Sequence, residues 1–276
     1  MSSHPGAYLF VPASRPERYS KAVDAAASAV VVDLEDAVAP DDKDAARASL
    51  QQWLDPLHPV IVRINADGSD WFGQDLQLLS HPGVAAVMLP KAEDCAAIDR
   101  VAGSGRPVIA LIETARGIAH ARQIAQRAGV SRLAFGSIDL QVDLGIGGDR
   151  EELHFARSEL VLASRLAELP PPIDGVTTAI DDPEQLRRDA DLARRFGFGA
   201  KLCIHPRQLA VVNAAFAPSS EQLAWARNVL DAIGHSGGGA VSVDGKMVDR
   251  PVLLLARRIL ESAGEADDAH PSKGTP

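Results

Sequence analysis

Val108-Ile109-Ala110-Leu111-Ile112-Glu113-Thr114 is a run of five apolar residues that stops at a polar pair, and a helical stretch follows it closely. Arg132-Leu133-Ala134-Phe135-Gly136-Ser137-Ile138-Asp139, the next such unit, ends its apolar run the same way. Nearly continuous apolar runs of this length suit strands covered on both faces, as in a parallel sheet. Working outward, the same kind of run recurs at residues 8–11, 29–34, 60–64 and 84–89 on one side, and at 173–177 and 200–204 on the other. Helical stretches at 17–27, 42–53, 71–79, 95–102, 118–127, 153–169, 183–196 and 208–215 separate or follow them. Eight βα units in 276 residues predict an α/β fold with a parallel sheet, closed as a (β/α)8 TIM barrel. An open doubly wound sheet is the alternative, and the length would also hold two smaller domains.

Helix starts agree with this phasing. Ser14-Arg15-Pro16-Glu17 reads as a capping box with proline in the first turn, and Asp182-Pro183-Glu184-Gln185 has an aspartate in the capping position. The expected organisation is a barrel over 1–217, a C-terminal helical extension over 218–263, and a polar tail over 264–276 that reads as disordered. Within the extension, residues 219–234 predict a helix, Gly237-Gly238-Gly239 a flexible break, 240–243 a short strand and 252–262 a last helix.

The chain carries 28 basic and 37 acidic residues, a net charge of −9, which argues against a nucleic-acid surface. An anionic small molecule stays possible, because a local basic pocket can sit in an acidic protein. Cys95 and Cys203 have no zinc-type or redox spacing. No apolar stretch reaches the ~18 residues that span a bilayer, and Met1-Ser2-Ser3-His4-Pro5 has no signal-peptide pattern, so a cytoplasmic location is expected.

In a barrel of this kind, chemistry sits at the C-terminal strand ends. Here those ends carry Ser14-Arg15, Asp33-Leu34-Glu35-Asp36, Arg63-Ile64-Asn65, Pro90-Lys91, Glu113-Thr114, Ser137-Ile138-Asp139 and His205-Pro206. Glu113 and Asp139 stand on adjacent strands, so their charges need a cation or a proton between them. A few oxygen ligands with water completing the shell suit Mg²⁺; a protonated partner, or a bridge through Arg63, is the other reading. Arg63 offers a planar fork to a carboxylate, or a structural bridge to Glu35 or Asp36. Lys91 could form a Schiff base or a plain ion pair, and His205 could act as a base or as a hydrogen-bonded structural residue. Gly145-Ile146-Gly147-Gly148 lacks a P-loop lysine, and no nucleophile elbow is present.

Taken in order, Leu9-Phe10-Val11-Pro12, Arg15-Pro16-Glu17-Arg18, Asp33-Leu34-Glu35-Asp36, Val62-Arg63-Ile64-Asn65, Leu89-Pro90-Lys91, Ile112-Glu113-Thr114, Gly136-Ser137-Ile138-Asp139-Leu140, Cys203-Ile204-His205-Pro206 and the segment from Val243 to Pro251 resemble one family. It is the citrate lyase beta subunit-like, CoA-ester lyase branch of the HpcH/HpaI aldolase superfamily. The resemblance runs from about Tyr8 to Leu260. It implies Glu113 and Asp139 as Mg²⁺ ligands, Arg63 as the residue that holds substrate carboxylate and oxyanion, and Arg15 and Lys21 near the CoA phosphates. It also implies a homotrimer or higher homo-oligomer, with the extension packed on a neighbouring subunit and Asp249 entering that subunit's site. Read from the residues, Asp249 could equally be a helix cap. Thr177-Thr178-Ala179 and Val252 depart from the acidic residue and the histidine that many relatives carry there.

The implied activity is Mg²⁺-dependent carbon–carbon cleavage, or formation, of a 3-hydroxyacyl-CoA such as citramalyl-CoA, malyl-CoA or a citryl thioester, with a 2-keto acid and an acyl-CoA as products. Arg63, Asp249, Glu35 and Asp36 are the candidate catalytic residues; Arg63, Arg15, Lys21 and Lys91 are the candidate substrate and CoA contacts. Two rivals stand beside it: a class II aldolase on free hydroxy keto acids, and a catalytically silent oligomeric binding protein.

Overall fold

The computed structural model describes residues 5–235, 241–243 and 246–264. These form two compact units that divide between Phe216 and Ala217.

The first unit is a closed barrel of eight parallel strands in sequence order. The strands are β1 (Gly6–Pro12), β2 (Ala29–Asp33), β3 (Val60–Arg63), β4 (Val84–Leu89), β5 (Val108–Ile112), β6 (Val130–Phe135), β7 (Ile173–Asp174) and β8 (Ala200–Cys203). Closure is made by β1 against β8, with Gly6 opposite Ala200 and Leu9 opposite Cys203. Around the barrel lie α1 (Tyr19–Val23), α2 (Lys43–Trp53), α3 (Phe72–Leu78), α4 (Cys95–Ala102), α5 (Ala115–Ala125), α6 (Ser137–Leu144), α7 (His154–Leu166), α8 (Pro183–Phe196) and α9 (Leu209–Phe216).

Side chains alternate across each strand. One set fills the barrel interior, including Tyr8, Val31, Ile61, Met88, Ile109, Leu111, Ala134 and Leu202. The other set packs under the helices, including Val32, Val62, Leu89, Ile112 and Phe135. Each large apolar side chain fully buried in this way contributes roughly 1.5–3 kcal/mol. The same two-residue step that places Ile109 and Leu111 inside carries the inward face up to Glu113 on β5. It also carries Ile61 to Arg63 on β3 and Val31 to Asp33 on β2.

Several elements differ from the sequence expectation. The strand expected over 173–177 is two residues long. Its next carbonyls are taken by side chains instead of a neighbouring strand: Lys201 Nζ donates to Gly175 O at 2.6 Å, and Gln208 Nε2 to Thr177 O at 2.8 Å. The helix expected over 17–27 is a 3-10 turn at Pro16–Arg18 followed by the five residues of α1. It stops because Ala26 O accepts from Asn213 Nδ2 at 2.6 Å and Ser28 N–H turns to Ala7 O at 2.8 Å to enter β2. The capping box at Ser14 does not form; Arg15 takes the capping position without a side-chain bond. Asp182 does cap α8, accepting from Gln185 N–H at 2.8 Å. Helix α6 lies where a loop was expected, directly after β6, and ends on Gly145 in the left-handed region at φ 66°.

The second unit holds α10 (Ser220–His235), an antiparallel pair of β9 (Val241–Val243) and β10 (Lys246–Val248), and α11 (Arg250–Ser262). Its small core comprises Ala226, Val229, Val248, Ala256 and Leu260. The last helix begins two residues before the expected start, with Pro251 in its first turn. The glycine break at 237–239, Asp244 and Gly245, residues 1–4 and all of the tail beyond Gly264 lie outside the described residues.

Candidate active site

The C-terminal strand ends surround a cavity of about 440 Å³ lined by Phe10, Pro12, Asp33, Asp36, Ala37, Arg63, Leu111, Glu113, Phe135, Gly136, Ser137, Ile138, Asp139, Val176, Thr178, Leu202 and Ile204. Its deeper wall is apolar, because the interior rows of β1, β5 and β8 end there in Phe10, Leu111 and Leu202. Its rim is charged.

On the β2–β3 side the charges are paired. Arg63 Nε and Nη2 donate to the two oxygens of Asp33, each at 2.7 Å. Arg63 Nη1 lies 3.2 Å from Glu35 Oε2 and 3.8 Å from Asp36, and the guanidinium sits over the Phe10 ring at 4.7 Å. Burial opposes the guanidinium charge, but hydrogen bonds and attraction to Asp33, then Glu35 and Asp36, hold its pKa well above the ordinary value. Of the two readings of Arg63, a substrate fork or a bridge to Glu35 or Asp36, the bridge forms, with Asp33 as its main partner: the Nε–Nη2 edge belongs to Asp33, and Nη1 is left beside Glu35 and Asp36. Asp33 was not singled out for this role, although it stands one inward step below Glu35.

Glu35 is buried and reaches Lys91 Nζ with Oε1 at 2.5 Å. Its Oε2 has no hydrogen-bonded donor among the described residues. Burial raises its pKa, and Arg63 and Lys91 only partly offset that. Lys91 thus makes the ion pair of the two alternatives read from the sequence. Beneath this group lies a relay that no sequence signal marked. Lys43 Nζ, buried under α2, donates to Leu34 O, Glu35 O and Asn65 Oδ1 at 2.7–2.8 Å. Asn65 is held in turn by Asp75, and Asp75 by Arg47 Nε at 2.6 Å. A lysine at a helix start normally reads as solvated, so its burial was not legible in the sequence.

On the β5–β6 side the carboxylates are not neutralised. Glu113 is buried, with Oε1 accepting the Lys91 backbone N–H at 2.8 Å. Its pKa is pushed up to about 8, first by burial, then by repulsion from Glu35 and Asp139. Gly136 is required here, because a Cβ at that position would fall 2.4 Å from Glu113 Oε2. Asp139 sits in the first turn of α6 and lines the same cavity. Among the described residues no group of three or more His, Cys, Asp and Glu forms a metal cage. A site with two carboxylates leaves most of a coordination shell to substrate and water, which suits Mg²⁺ and not a dedicated protein cage. Glu113 and Asp139 line one cavity as oxygen donors with no ion-pair partner among the described residues, a donor set that fits that ion.

A second cleft, about 270 Å³, is lined by Leu9, Phe10, Val11, Pro12, Arg18, Lys21, Ala22, Ile204, His205 and Pro206. Phe10, Pro12 and Ile204 line both cavities. Lys21 lies in this cleft; Arg15 is exposed and is not part of its lining, where Arg18 stands instead. His205 accepts from Arg207 N–H through Nδ1 at 3.2 Å and caps the turn at Pro206–Gln208, the structural role of its two readings. In the second unit Asp249 caps α11, accepting from Val252 N–H at 3.4 Å.

Residues 7–206 match the family model HpcH/HpaI aldolase/citrate lyase. A citrate lyase subunit beta-like protein of Mycobacterium tuberculosis is 44% identical over 272 residues, covering 94% of this chain and 96% of its own length. A (3S)-malyl-CoA thioesterase of Cereibacter sphaeroides is 34% identical over 266 residues, covering 92% of this chain and 93% of its own. A crystal structure of the protein CitE from M. tuberculosis in complex with magnesium, acetoacetate and coenzyme A superposes with a TM-score of 0.86 at 42% identity, covering 96% of this chain and 99% of that one. The chain belongs to the HpcH/HpaI aldolase/citrate lyase family, in its citrate lyase beta-like branch. No helix among the described residues is long and apolar enough to cross a membrane.

Proposed function

We propose that this chain is a Mg²⁺-dependent carbon–carbon lyase that cleaves, or forms, a 3-hydroxyacyl-CoA such as citramalyl-CoA, malyl-CoA or a citryl thioester. The observation that carries this reading is the juxtaposition of an unneutralised carboxylate pair, Glu113 and Asp139, with a locked arginine across one cavity. Glu113 and Asp139 would hold the ion, which when bound supplies Lewis acidity to the hydroxyl or keto oxygen and the carboxylate of the acid half. Asp33 fixes Arg63 in one orientation, so that Nη1 is aimed before substrate arrives and offsets charge on that oxygen without reorganising. In cleavage, the hydroxyl proton passes to water at the rim, the carbon–carbon bond breaks, and its electron pair passes to the carbon beside the thioester. That carbon then takes a proton, giving a 2-keto acid and an acyl-CoA. Glu35 sets the charge around Arg63, and Asp36, 3.8 Å from Arg63 Nη1, is the exposed carboxylate on that side of the rim.

The shared walls of the two cavities favour a CoA thioester over a free hydroxy keto acid. A pantetheine arm laid past Phe10, Pro12 and Ile204 would bring the phosphates to Lys21 and Arg18, with Arg15 near the mouth. The proposed assembly is a homotrimer or higher homo-oligomer. Leu144 and Phe155 are 48% and 73% exposed and line one groove on the outer wall of the barrel, a surface that oligomerisation would cover. Asp249 of a neighbouring copy is the proposed proton donor to the enolate carbon, in its protonated form or through a water relay. The malyl-CoA thioesterase relative motivates a second reading, hydrolysis of the thioester.

Mass spectrometry of CoA thioesters incubated with purified protein and Mg²⁺ separates these. A keto acid with acyl-CoA supports the lyase. A hydroxy acid with free CoA supports the thioesterase. Turnover unaffected by EDTA refutes the metal.

A further inference from the structure

Lys91 is one of two non-glycine residues among those described with a positive φ, at 46°. For an L-residue the left-handed region costs about 1–2 kcal/mol, and such residues persist where their surroundings over-determine them. The surroundings here are specific. Pro90 precedes it, and the N–H of Ala92 is held on Leu111 O at 3.1 Å. Turned this way, the residue makes two contacts, one through its backbone and one through its side chain. Its backbone N–H donates to Glu113 Oε1 at 2.8 Å, and its side chain folds back to Glu35 Oε1 at 2.5 Å. The end of β4 thereby ties the β5 carboxylate to the β2 carboxylate.

From this geometry we infer that Lys91 is a positioning residue: the Lys91–Glu35 ion pair holds the left-handed turn, and the turn holds the Glu113 carboxylate in place for the metal. The inference rests on the proposed reading of Glu113 as a metal ligand only in its last step. With the Ala92 N–H anchored on Leu111 O, a helical or extended residue 91 would have to swing the Pro90–Lys91 peptide plane, and with it the N–H that holds Glu113 Oε1. The ion pair offsets the backbone cost, so removing the side chain releases the turn, whereas glycine adopts the same conformation without that cost.

The test compares Lys91→Ala, Lys91→Gly and Lys91→Arg in the full chain. Crystal structures read the turn directly. Glu113 is expected to keep its bond to the residue-91 N–H in the Gly and Arg variants and to lose it in the Ala variant. Binding of Mn²⁺ alone, followed by loss of the free-ion electron paramagnetic resonance signal, reads the consequence. Affinity is expected to fall about tenfold for Ala and less than about threefold for Gly and Arg, as the cost of the left-handed turn converts at about 1.4 kcal/mol per factor of ten. An Ala variant with the Glu113 contact intact overturns the inference, as do Ala and Gly variants that weaken Mn²⁺ equally. If wild-type protein fails to bind Mn²⁺, the metal reading falls, and the crystal structures still decide whether the clasp exists.

Discussion

At the ends of β2, β3 and β4, Asp33 and Glu35 meet Arg63 and Lys91 within hydrogen-bonding distance, and Lys43 braces the backbone behind them. At the ends of β5 and β6, Glu113 and Asp139 share a cavity with no cation within ion-pairing distance among the described residues. The two halves of one rim are built from similar residues and do opposite things with charge. A carboxylate paired in place becomes a fixture that orients its partner. A carboxylate left unpaired and desolvated becomes a demand for a proton or an ion.

The largest effect should come from the unpaired half. Glu113→Gln and Asp139→Asn are each expected to lower kcat by at least about 10²-fold, in the range seen when groups stabilising transition-state charge are removed, while far-ultraviolet circular dichroism stays unchanged. Wild-type turnover in either variant would mean that this half is only structural.

The paired half should respond in stability first. Asp33→Asn leaves Arg63 buried with its main partner neutralised, and breaking a buried pair costs about 3–5 kcal/mol. Chemical denaturation measures that. Arg63→Lys should be nearly as damaging to kcat/KM as Arg63→Ala, because an ammonium cannot span both Asp33 oxygens and still present a donor to the cavity. A Lys variant with wild-type kinetics would show that Arg63 acts as a point charge.

A smaller, pH-dependent difference separates the halves further. Glu113 is held neutral well above its ordinary value of 4.5, up to about 8. The folded state therefore binds more protons than the unfolded state across that window, and stability falls as pH rises through it. Without Mg²⁺, the melting temperature of wild type should drop relative to Glu113→Gln between pH about 5 and 8. Added Mg²⁺ should restore it most at the alkaline end. Parallel melting curves for the two proteins would remove Glu113 as the source.

The smallest expected effect lies outside the barrel. Loss of the α11 cap in Asp249→Ala should cost about 1 kcal/mol, whereas Asp249→Asn keeps a capping oxygen and should cost only a few tenths of that. If Asp249 also serves a neighbouring site, turnover falls far more than stability does. Subunit mixtures of Asp249→Asn with Glu113→Gln should then regain partial activity. Verified mixed oligomers without recovery would leave the cap as its whole role.

Much of the barrel was legible from residues such as Val108–Ile112, because a strand buried on both faces declares itself in a local run of apolar side chains. The rim residues Glu113, Asp139, Arg63 and Glu35 were legible for a related reason: a charge that ends such a run must be satisfied or used. Strand β7 and helix α6 were not, since the length of β7 depends on Lys201 and Gln208 capturing its carbonyls, and α6 on the turn that Gly136 allows beside Glu113.

What the sequence by itself determined is the alternation, the order of the polar strand ends and the family they spell out. Which charges meet was decided only by the closed barrel. Arg63 turns its fork to Asp33, Lys43 disappears beneath Glu35, and Lys91 adopts a left-handed backbone to reach two carboxylates at once. Periodicity is a property of neighbours along the chain, whereas ion pairing, desolvation and the shift of Glu113 to about 8 depend on distances across strands far apart in sequence.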